Sequence, residues 1–237
     1  MNSPSIDRFS HLDSPINRLD PRVKTLCILA FVLAVVLTPP DRYAAFFLYV
    51  VLIFSVIFLS EMPLSFVLKR SLIIVPFALM IGLFNLFFRP FSVFFNILAK
   101  SWLSVLALIV LSGTTDFPTL LKALESLGVP KLLTTILSFM YRYIFTLIDQ
   151  VAKLERARVA RSYGRRGLIQ LRAAGNILGS LFINTFERGE RIYQAMLARG
   201  YHGHAHTTRR FTLTRADAAF AAYFTTALAA IGWQAIR

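Results

Sequence analysis

The stretch YAAFFLYVVLIFSVIFL, residues 43–59, decides the fold class of this chain. It holds no charged residue, and nearly all of its side chains are aliphatic or aromatic. A helix of this length is about 25 Å long, close to the least that a span of the membrane hydrocarbon needs. Asp41 and Arg42 precede it and Glu61 and Pro63 follow it, so its ends are marked. The stretch therefore predicts a transmembrane helix.

The composition of the whole chain supports the same interpretation. Of the 237 residues, 56% are hydrophobic and 16% are charged, whereas an ordinary soluble domain has about 25% charged residues. A soluble protein of this size has too little charged surface to cover so many apolar side chains, but lipid covers them readily. We therefore expect an all-α membrane protein.

Further apolar stretches predict about five transmembrane helices. They lie at residues 26–37, 43–59, 71–88, 94–115 and 215–236. Asp20 followed by Pro21 is typical of a helix start, and Thr38 followed by two prolines is typical of a helix end. Pro76 predicts a kink in the third span. The last span is rich in alanine and only weakly hydrophobic.

The region between the fourth and fifth spans has a different character. Residues 116–128 predict a short amphipathic helix, and residues 131–164 and 170–199 predict two long ones. The apolar first half of the first long helix contains Arg142 and ends at Asp149, which favours an interfacial helix over a sixth span. We divide the chain into a membrane part at 1–115, a basic module at 116–210 and a final span at 211–237.

The charge distribution predicts the orientation in the membrane. The formal net charge is +14, and residues 116–215 hold 16 of the 26 basic residues but six of the 12 acidic ones, a local net charge of +10. Basic residues collect on the cytoplasmic side of membrane proteins. The N-terminus and the basic module are therefore expected in the cytoplasm. No nucleic-acid motif accompanies the charge, so no nucleic-acid partner is expected.

Several kinds of chemical site have little support. The chain has no Gly-x-x-x-x-Gly-Lys-Ser/Thr sequence for binding nucleotide phosphates, and no acidic residue lies inside the first four spans, which weakens the case for an independent carrier. Cys27 is interpreted as a packing residue. His202, His204 and His206 are weak candidates for metal ligands, and a solvated loop is the favoured interpretation. No cofactor is expected.

Two short motifs end the two long helices. They are Ala160-Arg161-Ser162 and Ala198-Arg199-Gly200. Arginine is favoured near a helix C-terminus by the helix dipole, and its guanidinium bonds well to carboxylates and carbonyls. Simple C-terminal capping is the alternative explanation. Because the motif occurs twice, each time at the end of a long basic helix, we favour a pair of docking tips.

With these motifs, the chain resembles the transmembrane T component of energy-coupling factor (ECF) transporters, most closely the cobalt-system type, CbiQ. The stretch DSPINRLDPRVK, residues 13–24, is similar to the start of that family. Ala160-Arg161-Ser162 and Ala198-Arg199-Gly200 match its two Ala-Arg-Gly signatures, with Ser162 in place of glycine. The resemblance covers nearly the whole chain.

The resemblance implies a non-catalytic coupling subunit of an importer, with cobalt as the expected cargo. It implies a cytoplasmic coupling module of long crossed helices between the fourth and fifth spans. It also implies two ATP-binding cassette ATPases and a CbiM-like substrate-binding membrane subunit, or S component, as partners in the lipid bilayer. Ala160, Arg161, Ser162, Ala198, Arg199 and Gly200 are then the ATPase-docking residues. The apolar faces of 116–128 and 131–148 suit the S component.

Two other functions stay open at this stage. The chain can be a stand-alone membrane carrier or anchor whose basic module binds anionic lipid. It can also be a membrane metalloenzyme that uses the three histidines as ligands. Neither the motifs nor the composition distinguish cobalt from nickel or a vitamin as the transported substrate.

Overall fold

The computed structural model of the chain describes residues 14, 16–17, 19–39, 42–86, 91–161, 168–201 and 213–236. Every regular element among these residues is a helix, which confirms the predicted fold class. The helices are α1 (Pro21–Leu37), α2 (Tyr43–Leu59), α3 (Leu64–Ser71), α4 (Val75–Leu86), α5 (Phe91–Thr114), α6 (Phe117–Ser126), α7 (Lys131–Arg161), α8 (Leu168–Ala198) and α9 (Arg215–Ile236). They form two compact units, residues 1–127 with 210–237, and residues 128–209.

The predicted ends of α1 are confirmed. Asp20 precedes the helix in an extended conformation, and its Oδ1 accepts a hydrogen bond from the Arg22 amide at 2.9 Å. Pro21 occupies the first helical position, where a missing amide proton costs nothing. At the other end the Thr38 amide donates to the Ala34 carbonyl. Pro39 then follows, so the helix cannot continue.

The third predicted span begins earlier than the sequence indicated. Helical structure starts at Leu64 in α3, passes through a 3-10 turn at Leu72–Ile74 and continues in α4. Lys69 and Arg70 are therefore exposed on the last turn of α3, whereas they were predicted to precede the helix. The 3-10 turn lies immediately before Val75 and Pro76, because proline has no amide proton to donate to the carbonyl four residues back. The helix is therefore irregular just before Pro76, and the kink that the sequence predicts there stays a prediction.

Three of the helical stretches that the structure describes are long and apolar enough to cross a membrane. They are Leu64–Phe84, Val93–Thr114 and Lys131–Ala160. The helix Tyr43–Leu59 is apolar but shorter. The first and last predicted spans, in α1 and α9, are not among the three; α1 is short and α9 is rich in alanine. The number of five spans stays a prediction.

Large aromatic side chains fill the centre of the first unit. Phe31 of α1, Tyr49 of α2 and Phe224 of α9 are essentially inaccessible. The Phe31 ring meets Tyr49 edge-on at 5.6 Å between ring centroids and lies 6.2 Å from the Phe224 ring. Edge-on and tilted pairs are the favoured arrangements of aromatic rings. This cluster packs α9 against α1 and α2, which lie more than 150 residues earlier in the sequence.

One buried carboxylate joins the N-termini of two helices. Asp217 Oδ1 accepts from the backbone amide of Asp20 at 2.6 Å. Its Oδ2 accepts from the amide and the hydroxyl of Thr214, at 2.6 and 2.7 Å. Asp20 and Thr214 are the residues that precede α1 and α9, where backbone amides lack helical partners and the dipole favours negative charge. Asp217 therefore caps the start of α9, and its bond to Asp20 ties this end of α9 to the start of α1.

A buried lysine completes this polar cluster. Lys24 Nζ donates to the carbonyl of Thr114, the last residue of α5, at 2.9 Å. Its charge interacts with the carboxylates of Asp116, Asp217 and Asp20. A cation at a helix C-terminus and an anion at helix N-termini both match the helix dipoles. We refer to Asp20, Lys24, Thr114, Thr214 and Asp217 as the polar clasp.

The short helix α6 packs against α1 and belongs to the first unit. Its Leu121 and Ala123 side chains are buried. The apolar face of residues 116–128, which the sequence predicted to contact a partner subunit, is therefore largely covered by other helices of this chain. The functional division at residues 115 and 211 stays a prediction.

Candidate functional site

The C-terminus of α8 is closed by a glycine cap. The Gly200 amide donates to the Leu197 carbonyl and the Tyr201 amide donates to the Met196 carbonyl, both at 3.0 Å. Gly200 has a φ of +79°, the left-handed conformation that this pattern of bonds requires. An added Cβ at Gly200 would meet no atom within 4 Å. Backbone conformation, and not lack of space, accounts for glycine at this position.

Replacing Gly200 with alanine should loosen this cap. The left-handed conformation costs a side chain-bearing residue about 1 kcal/mol, so hydrogen exchange at the Gly200 and Tyr201 amides is expected to become about fivefold faster. Gly189→Ala in the same helix is the matched control, because its Cβ also meets open space. Alanine in a helix interior is favoured over glycine. The Gly189→Ala control should therefore slow amide hydrogen exchange. Equal changes in the two variants would contradict the explanation.

The residues of the second motif are accessible. Ala198, Arg199 and Gly200 are all exposed. Among the residues that the structure describes, none forms an ion pair with Arg199, whereas Arg191 earlier in α8 pairs with Glu187 at 3.6 Å. An exposed arginine at the dipole-negative end of a helix presents its guanidinium to solvent and to other proteins. This geometry is compatible with both a capping role and a docking role for the second motif.

The first motif ends α7. Ala160 is exposed and Arg161 is the last residue of the helix. Ser162 lies outside the described residues. The last acidic residue of α7, Glu155, pairs with Arg158 on the same helix. The structure thus places both predicted arginines at the C-terminal ends of helices of equal length, 31 residues each. Their role in docking stays a prediction.

The candidate metal ligands His202, His204 and His206 lie outside the described residues. Within the described ranges, no group of three or more His, Cys, Asp or Glu residues is arranged to hold a metal ion. Cys27 is buried in the apolar core of the first unit, in agreement with its interpretation as a packing residue.

Apolar side chains form an exposed stripe along α7. They recur at the helical spacing of three and four residues. The stripe consists of Leu133, Ile136, Met140, Ile144, Ile148 and Val151. Arg142, Asp149 and Lys153 lie on the opposite face of the helix. Such a charged face argues for a helix in the membrane interface, although length and composition alone also allow a span.

A second exposed stripe lies along α8, and the sequence analysis missed it. It consists of Leu178, Phe182, Phe186, Tyr193 and Leu197. Phe182 and Phe186 are 73% and 67% exposed, high values for aromatic side chains. The spacing of four residues is visible in the sequence, but charged residues and two glycines between these positions mask it. Both long helices therefore carry apolar surface that this chain leaves uncovered.

Comparison with known proteins decides the family. The profile of the CbiQ cobalt transport protein family matches residues 13–209, which include both arginine motifs. The chain belongs to the CbiQ family of ECF transporter T components. An ECF transporter transmembrane protein EcfT from Streptococcus thermophilus is 31% identical over 86% of this chain and 87% of the relative. EcfT from Thermosediminibacter oceani is 29% identical over 98% of this chain and 97% of the relative.

A third relative comes from an archaeon. An uncharacterized protein of Methanocaldococcus jannaschii is 28% identical over 90% of this chain and 80% of its own length. As a CbiQ-family T component, the chain is a membrane protein and a transporter subunit. Its apolar helices fit that location.

Proposed function

We propose that this T component is the coupling subunit of an ECF-type importer for cobalt. Two ATP-binding cassette ATPases dock at the ends of α7 and α8, and ATP-driven motion passes through these helices to a substrate-binding S component. Cobalt is proposed because the matched family is described as cobalt transport proteins. The S component, and not this chain, selects the cargo.

The positions of the two arginine motifs at helix ends carry this proposal. Ala160, Ala198, Arg199 and Gly200 are exposed, and Arg161 and Arg199 lie at the ends of two equally long helices. A guanidinium bonds in a forked geometry to a carboxylate and is well suited to protein interfaces. Small neighbours on both sides of each arginine allow close approach of a partner backbone.

The exposed apolar stripes support the second interface. Side chains such as Met140, Phe182 and Phe186 are more than half exposed on helices that also carry charge. Burial of such stripes against another helical protein is a common mode of recognition. The S component, a membrane protein, offers the apolar surface that would cover them.

The charge distribution supports a cytoplasmic location for the docking ends. The segment 116–215 has a net charge of +10, and positively charged segments are retained on the cytoplasmic side. ATP and the ATPases are found there. In this proposal the N-terminus lies on the same side and the C-terminus on the other.

Reversing the charge of both docking arginines tests the proposal. The double variant Arg161→Glu/Arg199→Glu is expected to retain at least tenfold less ATPase when the tagged T component is purified from cells that express the complete transporter. Carboxylates at both ends would repel the acidic groups that the guanidinium groups bind. Retention is measured by quantitative immunoblotting of both ATPases.

A matched control separates docking from net charge. Arg156→Glu/Arg191→Glu introduces the same charge change at exposed positions of the same two helices, away from their ends. It should reduce ATPase retention less than twofold. Full retention in the Arg161/Arg199 variant, or equal loss in both variants, would refute docking at the arginine motifs.

A further inference from the structure

A hydrogen bond between side chains joins the two long helices. With its side-chain amide oriented so that the oxygen faces α8, Gln150 of α7 accepts from the Arg188 guanidinium, at 2.8 Å from Nη2 and 3.3 Å from Nη1. Both residues are half-buried. A charged donor makes this bond stronger than one between neutral groups. The planar guanidinium, which uses two nitrogens, also restricts the relative orientation of the two helices.

The bond lies the same number of residues before the motif arginine on each of the two helices. Arg161 follows Gln150 by eleven residues, and Arg199 follows Arg188 by eleven residues. At 1.5 Å per residue, each arm is about 16 Å long. With two straight arms of equal length, the separation of their ends depends on one angle, the angle between the helices at the Gln150–Arg188 contact.

The exposed stripes and the intrahelical ion pairs of the two helices do not fix that angle. The apolar stripes of α7 and α8 are exposed, so they contribute no packing between the helices at their most apolar positions. The ion pairs Glu155–Arg158 and Glu187–Arg191 each lie within one helix. The Gln150–Arg188 bond is therefore well placed to control the angle.

We infer that Gln150 and Arg188 are positioning residues that set the spacing of the two docking ends, so that motion imposed on one arm is passed to the other. This inference rests on the proposed coupling function. When the bond is lost, each arm moves independently, and ATP hydrolysis no longer produces a defined displacement. Coupling should then fail although both ATPases still bind.

The first test measures the angle and needs no partner. Spin labels are attached to cysteines at Val159 and Leu197, which are exposed and each nine residues beyond the contact. Cys27 is replaced by alanine in this background. In the purified T component, Arg188→Leu is expected to widen the distance distribution between the labels at least twofold. Arg188→Lys, which keeps the charge without the fork, should give an intermediate width.

Two variants serve as controls for this measurement. Arg191→Leu removes a neighbouring arginine that is 69% exposed and pairs only within α8 among the described residues, and it should leave the distribution unchanged. The exchange Gln150→Arg/Arg188→Gln should restore a narrow distribution, because it rebuilds the same bond in the opposite direction. An unchanged width in Arg188→Leu would overturn the inference.

The second test measures coupling in the complete transporter in vesicles. Arg188→Leu is expected to lower the amount of cobalt transported per ATP hydrolysed about fivefold, with normal ATPase retention, and the exchanged pair should recover it. A normal ratio in Arg188→Leu would also refute the inference. Full ATPase retention in Arg161→Glu/Arg199→Glu would instead refute the proposed function, and the spin-label result would still decide the role of the contact.

Discussion

The variant Asp217→Ala is expected to unfold at a temperature about 10 °C lower than the unmodified chain in detergent. The Asp217 carboxylate accepts three hydrogen bonds, one from Asp20 and two from Thr214, and is almost completely buried. Alanine leaves the buried Asp20 amide and the partly buried Thr214 amide without their acceptor and removes a negative charge that compensates Lys24. Loss of one partner from a buried charged arrangement costs about 3–5 kcal/mol.

The size of the shift follows from the length of the chain. For proteins of about 150–250 residues, each kcal/mol changes the unfolding temperature by roughly 2–4 °C. Asp217→Asn should give a smaller shift, since one amide oxygen can still accept hydrogen bonds although the negative charge is gone. Asp149→Ala removes an exposed carboxylate from α7 and should change the temperature by less than 2 °C, as surface substitutions usually do.

A double-mutant cycle identifies the polar clasp as a unit. Lys24→Met removes the buried cation, and in a chain that already lacks Asp217 this substitution should cost less than it does alone. Additive losses would show that Lys24 and Asp217 act independently, which contradicts the arrangement described for the clasp. The measurement is thermal unfolding followed by circular dichroism or by exposure of buried thiol at Cys27.

Truncation of Phe224 is expected to have the second-largest effect on stability. The Phe224 side chain is completely buried, between Phe31 of α1 and Phe220 of α9. Phe224→Ala would leave a cavity where α9 packs on the other helices. We expect the free energy of unfolding to fall by about 3 kcal/mol, the lower end of the range for such truncations. Burying an apolar side chain that would otherwise face lipid stabilises the fold less than burying one that would face water.

A phenylalanine on the surface provides the control for this truncation. Phe58 of α2 is 82% exposed, so Phe58→Ala removes the same atoms without creating an internal cavity. The unfolding temperature of the Phe58→Ala variant should stay within about 2 °C of that of the unmodified chain. For Phe224→Ala we expect a decrease of about 6–12 °C. Similar shifts for both variants would mean that α9 is not held by the aromatic core.

Local sequence signals predicted many of the helix boundaries. Asp20 and Pro21 start α1, and Thr38 and Pro39 end it, because capping and the geometry of proline involve only residues within one helical turn. Gly200 was predicted to end α8 by the same reasoning, with capping as the alternative explanation of its motif. The start of α3 at Leu64 was missed, since the charged pair Lys69 and Arg70 interrupted an apolar pattern that the exposed face of a helix tolerates.

The arginine motifs were found from the sequence, but the elements that position them were not. Gln150 and Arg188 are separated by 38 positions, and neither forms a recognisable motif. Lys24 was counted among the basic residues that set topology, whereas the structure buries it against the Thr114 carbonyl. The direction in which a long side chain points depends on the helices packed around it.

The sequence by itself determined that this is a helical membrane protein with a basic segment and two helices ending in arginine motifs, because hydropathy, helical periodicity and capping act over short stretches of chain. Only the tertiary structure decided that Asp217 bonds to Asp20, 197 residues away, that α6 is covered by α1, and that α7 and α8 meet at Gln150 and Arg188. Contacts of this kind depend on how helices pack, and distance along the chain does not limit them.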